Sequence, residues 1–129
     1  MVINFFQTAN VQIALQAVID SLQSRPIDDS KAQLLRDILG IIKANGAAFD
    51  EKCATNISWI GSQFEGNAQL LAKTPSDDKA LDLFIAFVYR FIVEWTSHAT
   101  IDKLEPQIEA RSNASGLTPP KWLWRLVRL

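Results

Sequence analysis

Apolar residues recur at steps of three and four from residue 6 to residue 99, and no stretch alternates with period two long enough to specify a strand. Such a chain can bury its apolar surface only by packing helical stripes against one another. Val11, Leu15, Val18 and Leu22, widened by Ala14 and Ile19, make the first stripe and predict a helix over 6–23. Arg25-Pro26 stops it, because a residue before proline is pushed out of the helical region. Asp28 or Asp29 caps a second helix, whose buried face is Leu34/Leu35, Ile38 and Ile41/Ile42. Asn45-Gly46 ends it, as residues that tolerate a left-handed C-cap.

Phe49, Cys53, Ile57, Ile60, Phe64, Ala68 and Leu71 form the third stripe, a helix of about six turns, with a kink or break expected at Gly61 or Gly66. After Pro75, Ser76-Asp77-Asp78 caps a fourth helix running through Leu81, Phe84, Ile85, Val88, Ile92 and Trp95 to about Ala99. Its middle is apolar almost all round, which suits a central position. The expected core includes Ile38, Ile57, Ile60, Phe64, Phe84, Val88 and Ile92. Two helix starts resemble each other, Pro26-Ile27-Asp28-Asp29 and Pro75-Ser76-Asp77-Asp78. They record either a duplicated hairpin or the same good N-terminal chemistry reached twice. Further on, Pro106 at a first helical position confines a short fifth helix to 105–111. The fold class expected is all-α: an antiparallel four-helix core of two αα-hairpins, a short fifth helix and a C-terminal amphipathic helical peptide.

A length of 129 residues fits one compact domain, and 48% hydrophobic against 21% charged residues excludes global disorder. Residues 1–112 are read as the bundle and 113–129 as a linker plus an aromatic, basic helix. The uncharged run 1–19 is interrupted by six Asn, Gln and Thr residues and lacks a basic leader, and the apolar run 83–93 is short and contains Arg90. Neither is expected to span a membrane. One cysteine needs no oxidising compartment, so a cytoplasmic location is the default.

The single His98 and single Cys53 leave few routes to catalysis, and no catalytic set, metal site or cofactor is expected. Glu94, His98 and Asp102 share a face if the fourth helix continues, with His98 favoured by a negative helix C-terminus. Haem ligation by His98 is the one formal cofactor possibility. Cys53, on the third stripe, reads as a small buried hydrophobe. Arg90 is the one cation in the apolar middle of that helix; it pairs with Glu94 at i, i+4 and, with Tyr89 and His98, marks a candidate pocket.

Charge is partitioned along the chain: residues 1–112 hold ten cations and 14 anions, residues 113–129 three cations and no anion. Lys121, Arg125 and Arg128 fall on one strip of a helical wheel, with Trp122 and Trp124 among the remaining apolar positions. The segment is expected to cover the bundle, to dock on a protein or second copy, or to touch a membrane surface or nucleic acid. With Phe5 and Phe6 also expected near the surface, the first functional reading is a non-enzymatic interaction module: adaptor, assembly factor, inhibitor or small subunit. The alternative is a nucleic-acid-contacting accessory subunit using Lys121, Arg125, Arg128 and Trp124. The third is a small-ligand-binding or enzymatic bundle with a pocket near Arg90 and His98.

Overall fold

Helical periodicity is realised as helix throughout. The structure, a computed structural model, describes residues 4–114. Among them are six α-helices and no strand: α1 (Ala9–Gln23), α2 (Ser30–Ala44), α3 (Ala47–Cys53), α4 (Ile57–Lys73), α5 (Asp78–Trp95) and α6 (His98–Ala114), with 3-10 turns at Phe5–Gln7 and Ala54–Asn56. The most extensive close approach is α1 along α4; α4 also meets α5, and α2 packs on α5 and α6. No helix among the described residues is long and apolar enough to cross a membrane.

Caps form where proline and acid precede a stripe. The Asp29 carboxylate accepts from the Ala32 N–H at 3.1 Å, and the Asp77 carboxylate accepts from the Lys79 N–H at 2.9 Å. These matching starts are then brought together by one side chain. Arg25, 6% exposed, donates from Nε to Asp29 Oδ2 at 2.6 Å, from Nη1 to the Pro75 carbonyl at 2.7 Å, and from Nη2 to Asp78. Lys31 pairs with Asp82 at 2.9 Å one turn further in. The N-terminal ends of α2 and α5 therefore lie side by side.

All seven phenylalanines of the chain belong to one connected network of ring contacts. Phe91 is its hub: it stacks on Phe49 at 5.1 Å and on Phe5 at 5.5 Å, and meets Phe64 edge-on at 5.6 Å. Offset-stacked and edge-on pairs each add about 0.5–1.5 kcal/mol to the burial itself. Phe5 and Phe6 are thus core residues, not surface ones. The Asp50 carboxylate accepts from the Phe5 N–H at 2.9 Å and holds the N-terminal turn against α3. Of the expected core, Ile57 is only half-buried, and the others are buried.

Four boundaries depart from the sequence reading. The break in the third stripe falls at 54–56 instead of at Gly61 or Gly66: the Thr55 hydroxyl bonds the Lys52 carbonyl at 2.7 Å, a side-chain bond that competes with the helical ladder. Gly46 is right-handed, with φ −54°. Its glycine serves space, since a Cβ there would stand 3.3 Å from the Lys43 carbonyl oxygen and 3.4 Å from the Phe6 ring. The helix expected to reach Ala99 stops at Trp95. Thr96 is extended and buried, its hydroxyl bonds the Ile92 carbonyl, and its own carbonyl accepts from Lys52 Nζ at 2.9 Å. Ser97 then starts α6, its Oγ accepting from the Thr100 N–H at 3.3 Å.

The fourth departure is that α6 runs from His98 with Pro106 in its interior. Interior proline costs about 3 kcal/mol. Ile101, Leu104 and Ile108 are all buried on that helix, and each such side chain contributes about 1.5–3 kcal/mol. Burial wins.

Candidate aromatic groove

Position along two helices places the side chains. Near the start of α4, Trp59 and Gln63 stand one turn apart; along the last turns of α5, Phe87, Arg90, Phe91, Glu94 and Trp95 follow at steps of three and four. Facing each other, they line a groove of about 290 Å³. Its floor is buried Ile60 and Phe91, the edge of the phenylalanine network. One wall is Trp59, 51% exposed, whose ring lies 6.3 Å from that of Trp95 at a tilt of 54°. On the rim, Arg90 Nε donates to Glu94 Oε1 at 2.7 Å, with the Arg90 side chain 71% exposed. That hydrogen bond and the carboxylate's charge raise the guanidinium pKa further.

Of the expected pocket residues, Arg90 and Glu94 come together here, and Tyr89 and His98 do not. Tyr89 is fully buried, and burial together with the Glu109 charge pushes its hydroxyl up to about 12. His98 is exposed as the first residue of α6, so it meets the positive end of a helix, contrary to the C-terminal position expected. The extended turn at 96–97 also separates it from Glu94, so Glu94, His98 and Asp102 share no single helix face. Trp59 lies one position off the buried stripe through Ile60, so stripe spacing alone does not mark it. Its signal was there: an indole one position off a buried stripe is turned towards the surface.

Cys53 is buried, and its thiol is pushed up to about 12 by desolvation and by the Asp50 charge. A thiol held that high is not an activated nucleophile at neutral pH. A second cleft, of about 580 Å³, lies between the N-terminal turn, α1 and the α2–α3 corner, lined by Asn4, Gln7, Gln12, Gln16 and Lys43 among others. Between α2 and α6 a shallower one presents Arg36 and Arg111. Among the described residues no group of three or more His, Cys, Asp or Glu stands close enough to hold a metal ion. Lys121, Trp122, Trp124, Arg125 and Arg128 lie outside the described residues. Comparison of the chain with protein-family models, with curated proteins and with solved structures gives no match.

Proposed function

We propose that the protein is a non-enzymatic helical interaction module, an adaptor, assembly factor, inhibitor or small subunit. It works in the cytoplasm on an antiparallel four-helix core of two αα-hairpins. The observation that carries this reading is the groove. A half-exposed tryptophan, a second tryptophan beside it and an arginine on the rim are the residue types in which interface hot spots are enriched. At about 290 Å³ the groove falls just below the roughly 300–1,000 Å³ typical of small-molecule sites. It suits one or two side chains of an apolar, helix-forming protein segment, the helix-in-groove mode of recognition.

Native pull-down with the wild-type chain and with Trp59→Ala tests it. Protein captured by the wild type and lost in the variant, with the helical circular dichroism unchanged, supports the module. Co-purifying nuclease-sensitive nucleic acid, equally retained by both chains, moves the function to the nucleic-acid reading. A small molecule in the native mass spectrum moves it to the ligand-binding one.

A further inference from the structure

We propose that the outer face shared by α4 and α5 is the contact between two copies of this chain. This deepens the interaction reading, on which it rests, by naming the helix that covers the groove: α4 of a second copy. Among the described residues five large hydrophobic side chains are exposed, Ile13, Ile27, Trp59, Leu70 and Leu83, and the last three share this face. Two stripes make it. Trp59, Gln63, Gly66 and Leu70 run along α4, and Leu83, Phe87, Arg90 and Glu94 run along α5. Both step by four, three and four, the spacing with which a helix offers a seam to another helix. All eight residues are exposed except Phe87, which is half-buried.

The register between the stripes identifies the occupant. α4 and α5 run antiparallel, with the rings of Trp59 and Trp95 6.3 Å apart and those of Phe64 and Phe87 5.4 Å apart. Trp59 is therefore level with Glu94, Gln63 with Arg90, Gly66 with Phe87 and Leu70 with Leu83. A twofold axis laid along the groove keeps those levels and sets α4 of each copy over α5 of the other. Leu70 then meets Leu83 of the second copy, and the Gln63 amide oxygen accepts from the second copy's Arg90. The Phe87 ring enters the space over Gly66 of the second copy, where nothing stands within 4 Å of a Cβ position. The Trp59 indole N–H donates to Glu94 of the second copy at the carboxylate oxygen that the Arg90 pair does not use, so that pair stays intact. Large meets small, apolar meets apolar and donor meets acceptor at each level. A face that matches itself is what a twofold contact demands, and a different partner demands no such match.

Gly66 adds a second argument. Glycine in a helix interior is unfavourable, and no atom of the chain requires it at this position. The space it leaves is used only when something docks on α4. Area sets the strength of the contact. α4 and α5, of 17 and 18 residues, are each about 25 Å long and about 10 Å wide, so the face measures about 500 Å². Two copies bury about 1,000 Å², the lower end for a specific contact, which makes the dimer weak and reversible.

Sedimentation velocity of the full chain tests this. A reversible monomer–dimer equilibrium is expected between about 1 and 500 μM. Gly66→Gln is the discriminating variant, because glutamine is a better helix former and has room within the chain, yet fills the place that Phe87 of the second copy needs. Its dissociation constant should rise at least about tenfold, with unchanged helical dichroism and no loss in urea midpoint. A monomer at every concentration overturns the proposal. So does a dimer that Gly66→Gln leaves unchanged, which places the contact on another face.

Cross-linking tests the register. Chains carrying Leu70→Cys and chains carrying Leu83→Cys are mixed and treated with a short bismaleimide, to which Cys53 is closed by burial. Dimers joining one chain of each kind should exceed the statistical half of the product; half or less overturns the proposal. Trp59-dependent capture of a different protein by a chain that stays monomeric sinks this inference and leaves the interaction reading standing. A dimer sensitive to Gly66→Gln, with no other protein captured, supports this inference and removes the wider adaptor reading.

Discussion

Arg25 and Arg90 are each followed by an acid four residues on, and each donates from Nε to that acid, at 2.6 Å and 2.7 Å. Their surroundings differ entirely. The Arg25 side chain is 6% exposed and fastens the starts of α2 and α5 through Asp29, Asp78 and the Pro75 carbonyl. Arg90 is 71% exposed, bonds only Glu94 among the described residues, and stands on the rim of a groove whose floor is held by rings. The same local pattern is thus a structural clamp at one end of α5 and a surface feature at the other. Desolvation decides which: exposed i, i+4 pairs are worth about 0.3–0.5 kcal/mol, whereas removing one partner of a buried pair leaves a charge uncompensated.

The largest effect should come from the ring network that supports the Arg90 end. Phe91→Ala removes the hub of that network and should cost about 3–5 kcal/mol in urea-unfolding free energy. A cost below about 1 kcal/mol would mean the rings are not what holds this end together. Arg25→Ala comes next, at about 2–3 kcal/mol, from lost charge-assisted hydrogen bonds and a stranded Asp29. If it is as harmless as Arg90→Ala, the contrast between the two ends fails.

Acid titration sharpens the same contrast. Burial by itself would raise the Asp29 carboxyl, but the Arg25 hydrogen bond, the Ala32 N–H and the Arg25 charge together outweigh it and hold the carboxyl below the usual carboxylate range. A depressed folded value means that the stabilisation is fully present above about pH 4, the unfolded value, and is lost as pH falls through the lower folded one. The urea midpoint of the wild type should therefore drop more steeply as pH falls below about 4 than that of Arg25→Ala. Parallel curves would remove Asp29 from the clamp. Smallest of all, Arg90→Ala should shift stability by no more than about 0.5 kcal/mol, and a double-mutant cycle with Glu94→Ala should return a coupling of that order. A coupling above about 1.5 kcal/mol would show a rim pair far more desolvated than its exposure indicates.

Much of this architecture is local in origin and could be read from the chain. The 3.6 period gives the helices, and proline followed by paired aspartates gives the starts of α2 and α5, because both depend on residues within a turn or two of each other. Cys53 was legible as a buried thiol for the same reason: it lies on a stripe. The candidate site was half legible. Arg90 with Glu94 is a pattern within one helix, but the groove also needs Trp59 from α4, and nothing in the spacing along α5 names that neighbour.

Other features were settled only when helices met. Local propensity puts Pro106 at a helix start; three buried aliphatic side chains override it and extend α6 back to His98. Phe5 and Phe6 looked like surface aromatics near a chain end, and become core because Phe49, Phe64 and Phe91, distant in sequence, offer them ring faces and edges. Arg25 read only as the residue before a proline, yet Pro75 and Asp78, some fifty positions away, make it the clamp. Local spacing marks where the helical stripes run, since hydrogen bonding and periodicity act over a few residues, but not where α3, α5 and α6 begin or end. The tertiary structure alone decided which aromatic and charged side chains are withdrawn from water, because burial is a property of the neighbours that folding brings from elsewhere in the chain.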